Sequence, residues 1–232
     1  MNTSDYQPGQ HAPVITVDGP SGSGKGTISQ ALATQLGWHH LDSGALYRLL
    51  AYAALQESLD LADEAALITL ADQLSETYRL PTVDNPAILL NGVDVGDALR
   101  TEGCAEAASK AAALPAVRQA LLAWQRHYRQ APGLIADGRD MGTTVFPDAT
   151  LKLFLTARPE IRAERRYKQL KNKGNNVNPA ALVEEVEARD QRDLSRKASP
   201  LKPAADALVI DNSDLDEEGT LQLALEAVRA AV

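Results

Sequence analysis

The 232 residues of the chain, 44% hydrophobic and 23% charged, suffice for one medium globular domain, or one domain with an insertion, around a core of its own. A net charge of −8 excludes the basic face that general nucleic-acid binding needs, but leaves room for a local pocket that takes a small polyanion. Without an apolar run near the ~18 residues of a membrane span, with no secretory signal pattern in the polar first dozen residues and with Cys104 as sole cysteine, the chain is expected to be cytoplasmic and free of disulfides and thiolate metal sites.

Residues 1–12 read as a flexible tail. Val14-Ile15-Thr16-Val17-Asp18 is a β-branched run bounded by Pro13 and a glycine-rich turn, the pattern of a strand covered on both faces. From Gly26 to Leu36 the apolar residues Ile28, Leu32 and Leu36 fall four apart, and Gly37 ends that helix. His39-His40-Leu41 is a weaker strand, followed by helical stretches at 44–57 and 64–77. Residues 88–95 carry Asn91-Gly92 between short apolar runs, the signature of a two-residue β-hairpin. A helical stretch over 104–130, where Cys104 serves as a small packing residue, leads to the strand Leu134-Ile135-Ala136. Leu151–Leu155 and Ala207–Ile210 are expected to be further buried strands. Helices are predicted at 159–172, 179–197 and 217–230, with a polar break over 171–176. The alternation predicts an α/β fold with a mainly parallel sheet, and the hairpin marks an insertion.

Gly19-Pro20-Ser21-Gly22-Ser23-Gly24-Lys25-Gly26-Thr27 fits the phosphate-loop pattern G-x-x-x-x-G-K. Glycines let successive amide N–H groups turn inward, and the helix that starts here adds its unpaired donors and dipole. Lys25 supplies a charge that reaches the outer phosphates. Strand, loop and helix follow in the order this chemistry requires. Gly26 stands where a hydroxyl residue is usual. Thr27 or Ser23 would therefore serve a Mg²⁺ shell, directly or through water, or Thr27 is simply a first-turn residue.

What receives the phosphoryl group is decided elsewhere. Asn172-Lys173-Gly174-Asn175 lacks the aspartate of a guanine-reading motif and does not follow a strand. After Leu134-Ile135-Ala136 comes Asp137-Gly138-Arg139-Asp140, where Arg139 suggests contact with a second phosphate. Arg158, Arg162, Arg165, Arg166, Lys168, Lys171 and Lys173 crowd one helix and its end. Arg189, Arg192 and Arg196 mark the next, interleaved with Asp190 and Asp193. Two such helices joined by a polar break suit a lid over a triphosphate; the same charges also suit a solvated, ion-paired face.

Together these stretches resemble bacterial cytidylate (CMP/dCMP) kinase. The likeness is carried by Val17–Thr27, by Leu41-Asp42-Ser43-Gly44-Ala45-Leu46-Tyr47-Arg48, by Ile135–Thr143, and by Arg189-Asp190-Gln191-Arg192-Asp193 leading to Arg196. It runs from about Pro13 to the C-terminus. The resemblance implies a nucleoside-monophosphate-kinase fold: a five-stranded parallel sheet flanked by helices, a small antiparallel insertion and a helical lid. Residues 13–76, 114–157 and 198–232 would form the core domain, 77–113 the acceptor-side insertion and 158–197 the lid. It also implies transfer of phosphate from ATP to CMP or dCMP with Mg²⁺, by a protein expected to act as a monomer.

Residue by residue, the resemblance gives Lys25, Arg139 and Arg189 catalytic roles. Ser43, Arg189 and Asp193 would meet the sugar, and Arg48 and Arg139 the acceptor phosphate. Ser109, Arg118, Asp140 and Arg196 would read cytosine. A carboxylate accepts from cytosine N4, whereas uracil would present a carbonyl there. The other classes open to such a chain are a uridylate or adenylate kinase of the same fold, and a nucleotide-holding protein that transfers nothing.

Overall fold

The computed structural model describes residues 12–79, 87–172 and 178–231. Residues 1–11 of the predicted tail, Lys173 with the rest of 173–177, and part of the expected insertion lie outside the described residues; Ala12, placed in the tail, is buried and its carbonyl accepts from Arg129 Nε. The described chain divides into two compact units, one made of residues up to His40 and from Arg129 onward, the other running from Leu41 to Tyr128.

The first unit is built on a sheet. Val14–Asp18 forms β1, His39–Asp42 β2, Leu134–Gly138 β5, Leu151–Thr156 β6 and Leu208–Asp211 β7, in the order β2-β5-β1-β6-β7. β1 runs parallel to both neighbours, with Asp18 opposite Gly138 on β5 and opposite Phe154 on β6; β7 pairs parallel to β6 and, as an edge strand, buries only Ile210 rather than its whole length as expected. β1 and β5 are buried at every position, which is why they read as continuous rather than alternating apolar runs.

Helix α1 (Lys25–Leu36) and helix α9 (Glu217–Ala231) supply one layer over the sheet. Ile28, Leu32 and Trp38 pack there with Ile15, Val17, Ile135, Leu153, Leu155, Ile210 and Val228. Each large side chain so buried stabilises the fold by about 1.5–3 kcal/mol. Helices α7 (Pro159–Asn172) and α8 (Pro179–Ser195) pack on each other through Ala163, Leu182 and Val186, with Tyr167 and Leu170 alongside. That seam is thin, and charged residues cover much of both helices.

The second unit is helical. It contains α2 (Ser43–Gln56), α3 (Glu64–Thr77), the one-turn α4 (Gly96–Leu99), α5 (Glu102–Ala111) and α6 (Pro115–His127). Leu46, Leu49, Leu50, Leu67, Leu99, Val117 and Leu121 are buried in it, and Tyr78 meets Trp124 edge-on at 5.8 Å. The single helix predicted over 104–130 is two. Leu114 is extended and Pro115 opens α6, because a residue before proline is pushed from helical geometry while proline suits a first helical position.

The predicted hairpin is present: β3 (Leu89–Leu90) and β4 (Val93–Asp94) pair antiparallel. Asn91 and Gly92 between them have φ of 51° and 80°, the two positive values of a type I′ turn.

Candidate active site

The phosphate loop joins the carboxyl end of β1 to α1. Gly24 caps that helix at φ 83° with no side-chain hydrogen bond, so the first amides of α1 are left for an anion. Lys25 Nζ lies 3.3 Å from Pro20 O across the loop. The loop's carbonyls are tied from behind: Arg162 donates to Ser21 O at 3.1 Å, and Asn212 Nδ2 donates to Ser23 O at 2.9 Å. Arg165 in turn donates to Asn212 Oδ1 and O, at 3.0 and 2.7 Å. With carbonyls drawn outward, the opposite edge of each peptide, its N–H, is turned toward the concave side.

Arg162 is almost wholly buried and forms a two-pronged ion pair with Asp190, while Arg158 pairs with Asp214 and Lys168 with Glu164. Arg158, Arg162 and Lys168 of the basic run are thus neutralised by carboxylates of this same unit. Arg162 is nonetheless part of the loop's support rather than a solvated charge.

At the carboxyl end of β5, Arg139 Nε donates to Asp193 Oδ2 at 2.9 Å. Arg196 NH2 lies 3.4 Å from the other oxygen. Burial pushes the Asp193 carboxyl up, but Arg139, Arg196 and Arg189 outweigh it and hold the group below its ordinary range. The first unit therefore gathers Arg139, Arg189 and Arg196 around the Asp193 carboxylate. The Arg139–Asp193 hydrogen bond joins residues 54 apart in the chain. Asp140 is buried beside them and caps a π-helical turn over Met141–Val145.

Two further carboxylates stand here. Asp137 is buried, with Oδ2 3.4 Å from His40 Nε2. Burial acts to raise its pKa, but the His40 hydrogen bond and the charges of His40, Lys25 and Arg139 bring it below normal. Asp18 ends β1 and accepts from the backbone amides of Met141 and Gly142.

The remaining predicted acceptor residues belong to the second unit. Asp42 caps α2 by accepting from Ala45 N at 3.0 Å, and Ser43 stands at the first helical position, buried. Arg48 lies 3.8 Å from Asp42, and its carbonyl accepts from the buried Cys104 thiol. Arg118, largely buried, stacks its guanidinium 5.5 Å from the Tyr47 ring centre and donates to Ala112 O. Ser109 lies half-buried on α5.

Asn212, Asp18 and the His40–Asp137 pair went unassigned in the sequence. Asn212 had one available signal, a polar residue directly after a sheet strand, where open α/β sheets place ligand-binding groups.

A phosphate loop at the end of a central parallel strand, with arginines clustered past the adjacent strand, defines a phosphate-loop kinase of the nucleoside-monophosphate type. The family profile for cytidylate kinase matches residues 15–230. The chain belongs to the cytidylate kinase family and is a phosphate-transferring enzyme. It is 54% identical over 220 residues to the cytidylate kinase of Shewanella sp. (strain MR-4), spanning 94% of this chain and 96% of that one. It is 55% identical over 217 residues to that of Stutzerimonas stutzeri (strain A1501), spanning 93% and 95%. With that of Pseudomonas entomophila (strain L48) it shares 56% over 212 residues, or 91% and 93%. Among the described residues no helix is long and apolar enough to cross a membrane.

Proposed function

We propose that the chain moves the γ-phosphoryl group of ATP to CMP or dCMP, giving ADP and CDP or dCDP, by in-line displacement without a protein nucleophile. The observation that supports this best is the gathering of Arg139, Arg189 and Arg196 about Asp193, past the strand beside the phosphate loop. An acceptor phosphate oxygen attacks the γ-phosphorus as the bond to the β-phosphate oxygen breaks. The acceptor is already ionised near neutral pH, so no general base is required. What the protein contributes is alignment and neutralisation of charge.

Lys25 and the amides of residues 19–27 hold the triphosphate. Arg48 and Arg139 take the acceptor phosphate, and Arg189 bridges toward the transferring group. Ser43, Arg189 and Asp193 bind the sugar; Ser109, Arg118, Asp140 and Arg196 select cytosine.

The residues about the start of α1 fit a magnesium ion carried in with ATP. Ser23 Oγ is buried without a hydrogen-bond partner among the described residues, Thr27 is in the first turn, and Asp137 Oδ2 lies 3.6 Å from where a Gly26 β-carbon would be. Hydroxyl and carboxylate oxygens suit this hard cation, which keeps several waters and phosphate oxygens of its own. Among the described residues no group of three or more His, Cys, Asp or Glu could hold a metal unaided. When bound, it would neutralise charge between the phosphates.

We further propose a core, a 77–113 acceptor-side insertion and a 158–197 lid that excludes water, in a monomer working in the cytoplasm without nucleic acid or membrane. Initial rates over a matrix of donors and acceptors test the substrate assignment. CMP and dCMP should exceed UMP in kcat/KM by about 100-fold or more. Asp140→Ala should raise KM for CMP about tenfold while KM for ATP changes less than about threefold. Equal turnover of UMP, or equal effects on both substrates, would overturn the assignment of Asp140 to cytosine.

A further inference from the structure

Asp18 is the last residue of β1, directly before the phosphate loop, and only 4% exposed. Its Oδ1 accepts from Met141 N–H at 2.9 Å and its Oδ2 from Gly142 N–H at 2.8 Å. We infer that Asp18 is a positioning residue for the acceptor side, clamping the turn that carries Arg139 and Asp140 to the root of the loop that carries the donor. The inference rests on the assignment of Arg139 and Asp140 to the acceptor.

Both oxygens of the carboxylate are engaged by backbone donors, so the clamp needs the ionised form. A proton on either oxygen would set an O–H against an N–H. The turn is also confined from its other side. A β-carbon on Gly142 would come 2.8 Å from Thr16 Oγ1 and 3.1 Å from Lys152 Cδ, so the peptide is seated against β1 and β6 and cannot shift inward. Arg139 is held in place by Asp193 as well, which leaves Asp140, Met141 and Gly142 as the part of the segment that Asp18 controls.

The charged groups facing Asp18 are few. Asp140 disfavours its ionisation and Arg139 favours it. Lys152, on the flanking strand, has its ammonium on Asp206 at 3.0 and 2.8 Å. Burial is the dominant influence and pushes the carboxyl up to about 7. The clamp is therefore loosened by a proton within the neutral range, and acceptor binding follows it.

The test uses the full-length protein and the Asp18→Asn variant, with kcat and KM for CMP and for ATP measured from pH 6 to 9. At pH 8 the variant should lose about tenfold or more in kcat/KM for CMP, with KM for ATP within about threefold of the parent. The parent's rise in CMP kcat/KM between pH 6 and 8 should flatten in the variant. Equal losses toward both substrates, or an intact pH-dependent rise in the variant, would overturn the inference. Should Asp18→Asn not fold, Gly142→Ala displaces the same turn and must show the same CMP-selective loss; unchanged CMP kinetics there would refute the clamp.

A substrate-free readout separates this inference from the acceptor assignment. The amide proton resonances of Met141 and Gly142 should titrate together with a midpoint near 7 in the parent and not in Asp18→Asn. If Asp140→Ala spares CMP binding while those amides still titrate, the acceptor assignment fails and the clamp stands. If the amides do not titrate, the clamp fails.

Discussion

Replacing Arg162 with alanine separates a supporting ion pair from surface decoration. Arg162 is 3% exposed and donates through Nε to Ala157 O, through NH1 to Ser21 O and Asp190 Oδ1, and through NH2 to Asp190 Oδ2. Truncation strands Asp190, whose side chain is 16% exposed, and frees a carbonyl of the phosphate loop. Breaking one side of a buried pair costs about 3–5 kcal/mol, against about 0–1 for an exposed one. Partial exposure of Asp190 puts the expected loss near the lower end, about 3 kcal/mol. At about 2–4 °C per kcal/mol for a chain of this size, Tm should fall by about 6–12 °C. A double-mutant cycle by urea denaturation, over Arg162→Ala, Asp190→Ala and the pair, should give a coupling of about 2 kcal/mol. KM for ATP should rise as well, since Ser21 O loses its donor. A Tm change under about 2 °C with coupling below about 0.5 kcal/mol would refute the reasoning, and α7 would be a solvated face after all.

Three other outcomes follow from the same geometry. Lys25→Ala should lower kcat by about a thousandfold or more with little change in Tm if, as proposed, the side chain serves the phosphates and not the core; a parallel loss of Tm in thermal denaturation would contradict this. The Asp18 carboxyl, raised from its ordinary value to about 7, keeps in the folded state a proton that the unfolded chain has released. Its stabilisation is complete below the unfolded value and is lost as pH rises to about 7, by about 1.4 kcal/mol per pH unit. The stability of the parent minus that of Asp18→Asn, from urea melts at pH 5, 6 and 7, should fall with that slope; a flat difference would refute it. Gly19→Ala should weaken ATP binding in a titration, because the added β-carbon would sit 2.1 Å from Leu155 O and drive the loop off β6; unchanged affinity would show the loop accommodates it.

Elements governed by local chemistry were legible in the sequence. Asn91-Gly92 alone dictated the hairpin, the β-branched run at 14–18 a buried strand, and the glycine pattern at 19–27 the loop that follows it. The break at Leu114-Pro115 was also written locally but was masked by apolar spacing that continues on either side of it. What could not be read was partnership across distance. Nothing near Asp193 announces Arg139, and nothing near Arg162 announces Ser21, 141 residues away. Asn212 became legible as a support of the phosphate loop only when the sheet placed β7 two strands from β1. Charge composition gave a basic run on α7, but which of its members are neutralised is a property of the folded surface.

The pairing of Asp18 with Gly138 also acts as a gauge. The peptide chains that leave β1 and β5 start from hydrogen-bonded neighbours about 4.8 Å apart, a spacing set by backbone chemistry and indifferent to side chains. Their relative height is therefore inherited from the interior of the molecule. Loops farther out can differ in length and composition without resetting that origin.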